Sequence, residues 1–111
     1  MNISLQSDSG VLIATLSGRL DSMTSPDVQN ALVAQISQTR GNLVLDLACL
    51  EYLSSAGLRV LLTAVTTTKG LGRSSAVVVN HPHIREILQI SGFSGLVPSF
   101  DNLASARAAV S

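Results

Sequence analysis

Charged side chains are scarce in this sequence, 13% of its 111 residues, where an ordinary soluble domain has about a quarter. The seven basic residues balance the seven acidic ones and neither sign gathers into a run, which excludes the one-signed footprint of a nucleic-acid binder. Cysteine is reduced to Cys49, so no internal disulfide can form, and Cys and His nowhere cluster at metal-ligand spacing. No metal site is expected, and nothing in the sequence calls for a cofactor. No apolar run approaches the ~20 residues that cross a bilayer. The start, Met1-Asn2-Ile3-Ser4-Leu5, lacks a basic stretch leading into an apolar one, so the chain is expected to be cytoplasmic, without direct membrane insertion. Internal repeats, linkers and low-complexity tracts are missing too, which leaves residues 1–111 as a single domain.

What is present is enough apolar residue, 46%, for a chain of this length to bury roughly two-thirds of its unfolded surface. Asn2-Ile3-Ser4-Leu5 alternates as a half-buried strand does, Ser7-Asp8-Ser9-Gly10 supplies turn chemistry, and Val11–Leu16 follows as a second strand of an antiparallel hairpin. Arg19-Leu20-Asp21 leads to Ser25-Pro26-Asp27, where a capping serine, a proline and a first-turn acid announce a helix that Gly41 ends. Leu43–Leu47 reads as a central strand buried on both faces. After Ser54-Ser55-Ala56-Gly57, the spacing of Leu58, Leu61, Leu62 and Val65 predicts a second helix that Gly70 and Gly72 close. Ala76–Val79 is a further strand. His81-Pro82 opens a third helix carrying Ile84, Ile87 and Leu88, a short strand falls near Pro98-Ser99-Phe100, and Asp101 or Asn102 caps a last helix through Val110. Strands alternating with helices predict an α/β domain, a mixed sheet of about four to five strands covered by about four helices.

The stretch most able to carry function runs from Asp46 to Leu62. A strand there feeds a short loop and then a helix N-terminus, where unpaired N–H groups and the positive end of the helix dipole converge on Ser54 and Ser55. A phosphate on either hydroxyl would bring about −1.5 to −2 charges to a place that stabilises an anion.

These residues also carry a resemblance. Leu43-Val44-Leu45-Asp46-Leu47 followed by Tyr52-Leu53-Ser54-Ser55-Ala56-Gly57-Leu58-Arg59 resembles the signature of STAS-domain anti-sigma-factor antagonists, a buried strand, then Asp-Ser-Ser/Thr-Gly-Leu, then a helix. Ser17-Gly18-Arg19-Leu20-Asp21 and Ile90-Ser91-Gly92-Phe93 are similar to two further family motifs. The resemblance covers nearly the whole chain and implies a STAS-type fold and a non-enzymatic phosphoprotein that works by partner switching in transcription regulation. It places the phosphorylated serine on Ser55, with Ser54 as runner-up because Ser54 stands where the family has an acid. The implied partners are a serine kinase of the histidine-kinase-like ATPase type that doubles as the anti-sigma factor, and a PP2C-type phosphatase that resets the switch. The implied partner surface is Asp21, Ser54, Ser55, Ala56, Gly57, Leu58 and Arg59. An alternative is a constitutive STAS accessory subunit of a membrane transporter or a signalling assembly.

Read without the resemblance, several of these residues have ordinary structural roles. Ser55 would be an N-cap hydroxyl, Ser54 a loop or capping residue, and Asp21 an Asx-turn or cap. Arg59, four residues after Ser55, either pairs with a phosphate or is solvated. Gly57 either keeps a partner surface flat or allows the helix to pack closely. Cys49 reads as a small buried hydrophobe, and His81 and His83 as turn residues. A hydrolase elbow is not supported, because the first glycine of Gly-x-Ser-x-Gly is missing before Ser55.

Overall fold

Period-two patterning at the start of the chain builds a hairpin. The computed structural model describes residues 1–110. In it β1 (Asn2–Asp8) pairs antiparallel with β2 (Val11–Leu20), with Asn2 opposite Ser17 and Asp8 opposite Val11. Ser9 and Gly10, at φ 52° and 79°, form the two-residue turn whose twist matches that of the strands. Ile3 and Leu5 pack toward the core, while Asn2, Ser4 and Gln6 are exposed.

The chain continues through α1 (Ser25–Gln38), β3 (Asn42–Asp46), β4 (Leu50–Leu53), α2 (Ser55–Gly70), β5 (Ser75–Val78), α3 (Pro82–Ile90), a 3-10 turn at Phe93–Gly95, β6 (Ser99–Phe100) and α4 (Leu103–Val110). The sheet order is β1-β2-β3-β5-β6, and β4 lies beside the far end of β2. Every pairing after the first is parallel, so helices make the crossovers.

The ten-residue β2 organises this sheet because one of its edges serves two partners. Val11–Thr15 pair with β3 and Gly18–Leu20 with β4, with a register shift at Gly18/Arg19, where Gly18 takes φ 94°. Both the extension of β2 to Leu20 and the strand β4 depart from the sequence expectation, and they raise the strand count to six. Leu50-Glu51-Tyr52-Leu53 is buried, exposed, exposed, buried. That pattern has neither strand nor helix period, and only pairing with distant β2 makes it a strand.

Alternate residues divide the core between the two sheet faces. On one face Leu12, Ala14, Leu16 and Leu20 of β2 meet residues of all three preceding helices, such as Leu32 of α1, Leu61 of α2 and Ile84 of α3. On the other, Val11, Ile13, Val44, Ala76 and Val78 pack on Ala106 and Val110 of α4. The central β3 is therefore buried on both faces, as its apolar run predicted, and each fully buried Leu or Val contributes about 1.5–3 kcal/mol.

Two expectations are corrected here. α1 ends at Gln38, ahead of Gly41, with the Thr39 N–H donating to Gln35 O at 3.1 Å. Gly41 serves close packing instead, since a Cβ there would lie 2.0 Å from Gly10 O. Cys49 is exposed and not buried. Leu47 and Leu50 take the core positions of its turn, closed by Leu50 N–H to Leu47 O at 3.1 Å and Ala48 N–H to Asp46 Oδ1 at 3.1 Å, so Ala48 and Cys49 fall at the tip.

Candidate functional site

The start of α2 is set by where β4 stops. The Ser54 N–H donates to Leu20 O at 3.0 Å, prolonging the contact with β2 by one residue. Ser54 stays extended (φ −90°, ψ 174°), its Oγ accepts from Gly57 N–H at 3.1 Å, and its carbonyl accepts from Leu58 N–H at 2.8 Å. Those are the two bonds of an N-cap. The capping serine is thus Ser54, which corrects the reading of Ser55 as the cap. Ser55 is the first helical residue, is exposed, and its hydroxyl has no hydrogen-bond partner among the described residues.

Behind this pair the helix packs against strand ends with no room to spare. Gly57 is buried, and a Cβ on it would lie 2.6 Å from Leu20 O, 2.8 Å from Leu20 Cγ and 2.9 Å from Leu53 Cδ1. Close packing therefore accounts for this glycine. Ala56 is half-buried, and Leu58, also half-buried, packs against the main core. Arg59 is exposed without an ion pair among the described residues. With Ala56 and Val60 it lines a groove of about 310 Å³ whose other wall is Ser25, Pro26 and Gln29. The first turns of α1 and α2 consequently run side by side.

Asp21 organises the start of α1. Its Oδ1 accepts from Met23 N–H at 3.0 Å and Thr24 N–H at 3.1 Å, an Asx-turn. The Thr24 hydroxyl accepts from Asp21 N–H at 3.0 Å and donates to Arg19 O at 2.9 Å. Ser25 is not the cap the sequence suggested. It is the first helical residue, buried, and its hydroxyl donates back to Asp21 O. The Thr24 N–H does most to hold the Asp21 carboxyl below its ordinary pKa. Partial burial opposes that shift, and Met23 N–H, the Thr24 hydroxyl and Arg19 add to it. Arg19 sits 4.0 Å from the Asp21 carboxylate and stacks over the Tyr52 ring at 4.1 Å.

Six of the residues singled out from sequence, Ser54 to Arg59, therefore share one helix start. Asp21 stands in the neighbouring loop, joined to them through the Leu20–Ser54 backbone bond. No hydrogen bond links Asp21 to either serine among the described residues. One residue escaped the sequence reading. Met23, with 87% of its surface exposed, stands beside the Asp21 turn and borders a cleft with Met1, Ile3 and Val28. An isolated large apolar residue in the polar stretch Asp21–Ser25 was its only signal. His81 accepts at Nδ1 from His83 N–H at 3.2 Å at the start of α3, and no base contacts either serine among the described residues.

This arrangement offers two chemically distinct hydroxyls at one helix end. The Ser54 hydroxyl is held as an acceptor, so modifying it would disturb the cap. The Ser55 hydroxyl is free, next to N–H groups that the helix leaves unpaired and one turn from the free guanidinium of Arg59.

Comparison with known proteins places this geometry in context. The family described as the STAS domain matches residues 2–106. The chain is 34% identical to the putative anti-sigma factor antagonist BtrV of Bordetella bronchiseptica, over 98% of this chain and 94% of that protein. It is 32% identical to the anti-sigma F factor antagonist of Paenibacillus polymyxa, over 96% and 92%. Among solved structures, an anti-sigma factor antagonist from Mycobacterium paratuberculosis superposes with a TM-score of 0.88 at 29% identity, covering 98% of this chain and 92% of the other.

Proposed function

The chain belongs to the STAS-domain family, and from that membership we propose that it is an anti-sigma-factor antagonist switched at Ser55. In this reading the unphosphorylated protein binds an anti-sigma factor that is also a serine kinase of the histidine-kinase-like ATPase type. Phosphorylation of Ser55 ends that binding, and a PP2C-type phosphatase restores it. The role is that of a binding module, not an enzyme.

The observation that carries the assignment is the division of labour between adjacent serines, Ser54 bonded to Gly57 N–H and Ser55 exposed and free. A kinase can take the Ser55 hydroxyl without opening the helix cap. The resulting dianion is welcome at the helix end while the site is in water. The same dianion desolvated under a docked partner costs several times the ~1.4 kcal/mol that shifts affinity tenfold. Phosphate thus changes what the surface binds and leaves the fold in place.

Incubation with the cognate kinase and ATP, followed by intact-mass measurement, tests this. One phosphate is expected on the unaltered protein and on Ser54→Ala, and none on Ser55→Ala. Full labelling of Ser55→Ala would move the site elsewhere.

A further inference from the structure

A second concavity lies at the opposite edge of the sheet, where the chain changes faces. α3 leaves β5 and packs with Ile84 and Leu88 into the main core, whereas α4 leaves β6 and packs with Ala106 and Val110 on the other face. Adjacent parallel strands whose following helices depart to opposite faces open a crevice between those helices, the general location of ligand sites in open α/β sheets. Here the crevice is real, about 480 Å³, within the ~300–1,000 Å³ typical of small-molecule sites.

Its walls are made for a polar guest. Arg85 and Gln89 come from α3, Ser99 and Phe100 from β6, and Asn102 and Ser105 from the start of α4. Only Nη2 of the Arg85 guanidinium is engaged, by Val79 O at 2.6 Å and by the Asp101 carboxylate. Nη1 has no acceptor among the described residues, and Nε is enclosed without one. The bond to Val79 O anchors the guanidinium. The Asp101 side chain, 76% exposed, is an easily displaced counter-ion, since exposed pairs of this kind contribute little. At the start of α4, Asn102 Oδ1 accepts from Ser105 N–H at 2.8 Å, which leaves the Leu103 and Ala104 N–H groups without intrahelical acceptors.

We propose that this crevice is a binding site, separate from Ser55, for a small ligand bearing an oxyanion. The phosphate or carboxylate group is held by Arg85 and the first turn of α4, with serine hydroxyls around it, and any organic part lies against Phe100. Three features meet at one place: a topological crevice, a guanidinium with unused N–H groups, and free helix amides. The proposal does not depend on the phosphorylation of Ser55.

The test is a titration of the intact protein with inorganic phosphate and, separately, with phenyl phosphate, followed in amide NMR spectra with sodium chloride as the ionic-strength control. Saturable shifts at Ser99, Leu103, Ala104 and Ser105 are expected. Ser105→Asp puts a carboxylate in the crevice at a position where α4 tolerates an acid, and should weaken binding by roughly tenfold or more. Arg85→Gln should weaken it too. Tighter binding of phenyl phosphate would identify an organic ligand, and equal binding a free oxyanion. The proposal is overturned if these amides show no saturable shift, if the shifts survive both substitutions, or if they gather on Ser55 to Gly57 instead.

Discussion

The starts of α1 and α2 lie side by side and are built in opposite ways. At α1, the Asp21 carboxylate, the Thr24 hydroxyl and the Ser25 hydroxyl are all tied into one loop. At α2 a single side-chain bond, Ser54 Oγ to Gly57 N–H, does the capping, no acid stands in the first turn, and the next hydroxyl is left free. One start is fixed by polar bonds, the other mainly by contact, because Gly57 lies against Leu20 and Leu53. A loop fully occupied with its own hydrogen bonds has little left to react. A helix that is fixed by packing can carry an unoccupied hydroxyl at its exposed end, and later carry a phosphate there, without losing its place.

The largest effect should come from breaking the packing half of this contrast. Gly57→Ala forces a methyl to within 2.6 Å of Leu20 O and is expected to cost about 1–3 kcal/mol in urea unfolding. An unchanged midpoint would mean that the start of α2 has slack. Ser54→Ala removes only the cap and should cost about 1 kcal/mol, leaving phosphate acceptance at Ser55 intact.

Acid unfolding sharpens the other half. Because folding lowers the Asp21 pKa, its ionised form is favoured by the native state. Its contribution is present above the unfolded pKa and disappears as pH falls through the lower folded value. Asp21→Ala should therefore be less stable at neutral pH and lose less on acidification, while Asp21→Asn keeps an acceptor for the Met23 and Thr24 N–H groups and falls in between. Thermal midpoints compared at neutral and acid pH check this. The smallest change is expected for Ser55→Asp, which adds a charge at the favourable end of the helix. It should stabilise the fold by about 0.3–1 kcal/mol at low salt while weakening capture of the anti-sigma factor, as measured by calorimetry.

Much of this was legible in the sequence, for reasons that differ by element. The hairpin, α1, α2 and the double-sided burial of β3 follow from periodicity and turn chemistry, which are local. β4 was invisible because Leu50–Leu53 becomes a strand only through its partner β2, some thirty residues earlier. Which of two adjacent serines caps α2 was equally beyond a pattern. Shifting a helix start by one residue leaves the apolar spacing unchanged, and the choice is made by the backbone bond from Ser54 to Leu20. Gly57 was ambiguous until Leu20 and Leu53 were seen against it. Cys49 went the wrong way because its neighbours Leu47 and Leu50 compete for the same core and win.

The contrast between the two serines comes down to which of them carries phosphate in the cell. Fragment-ion mass spectrometry of the protein purified from its native host would localise it: a single phosphate on Ser55, with Ser54 unmodified, is the expected result, and phosphate on Ser54 with Ser55 bare would contradict the division between capping and switching hydroxyls.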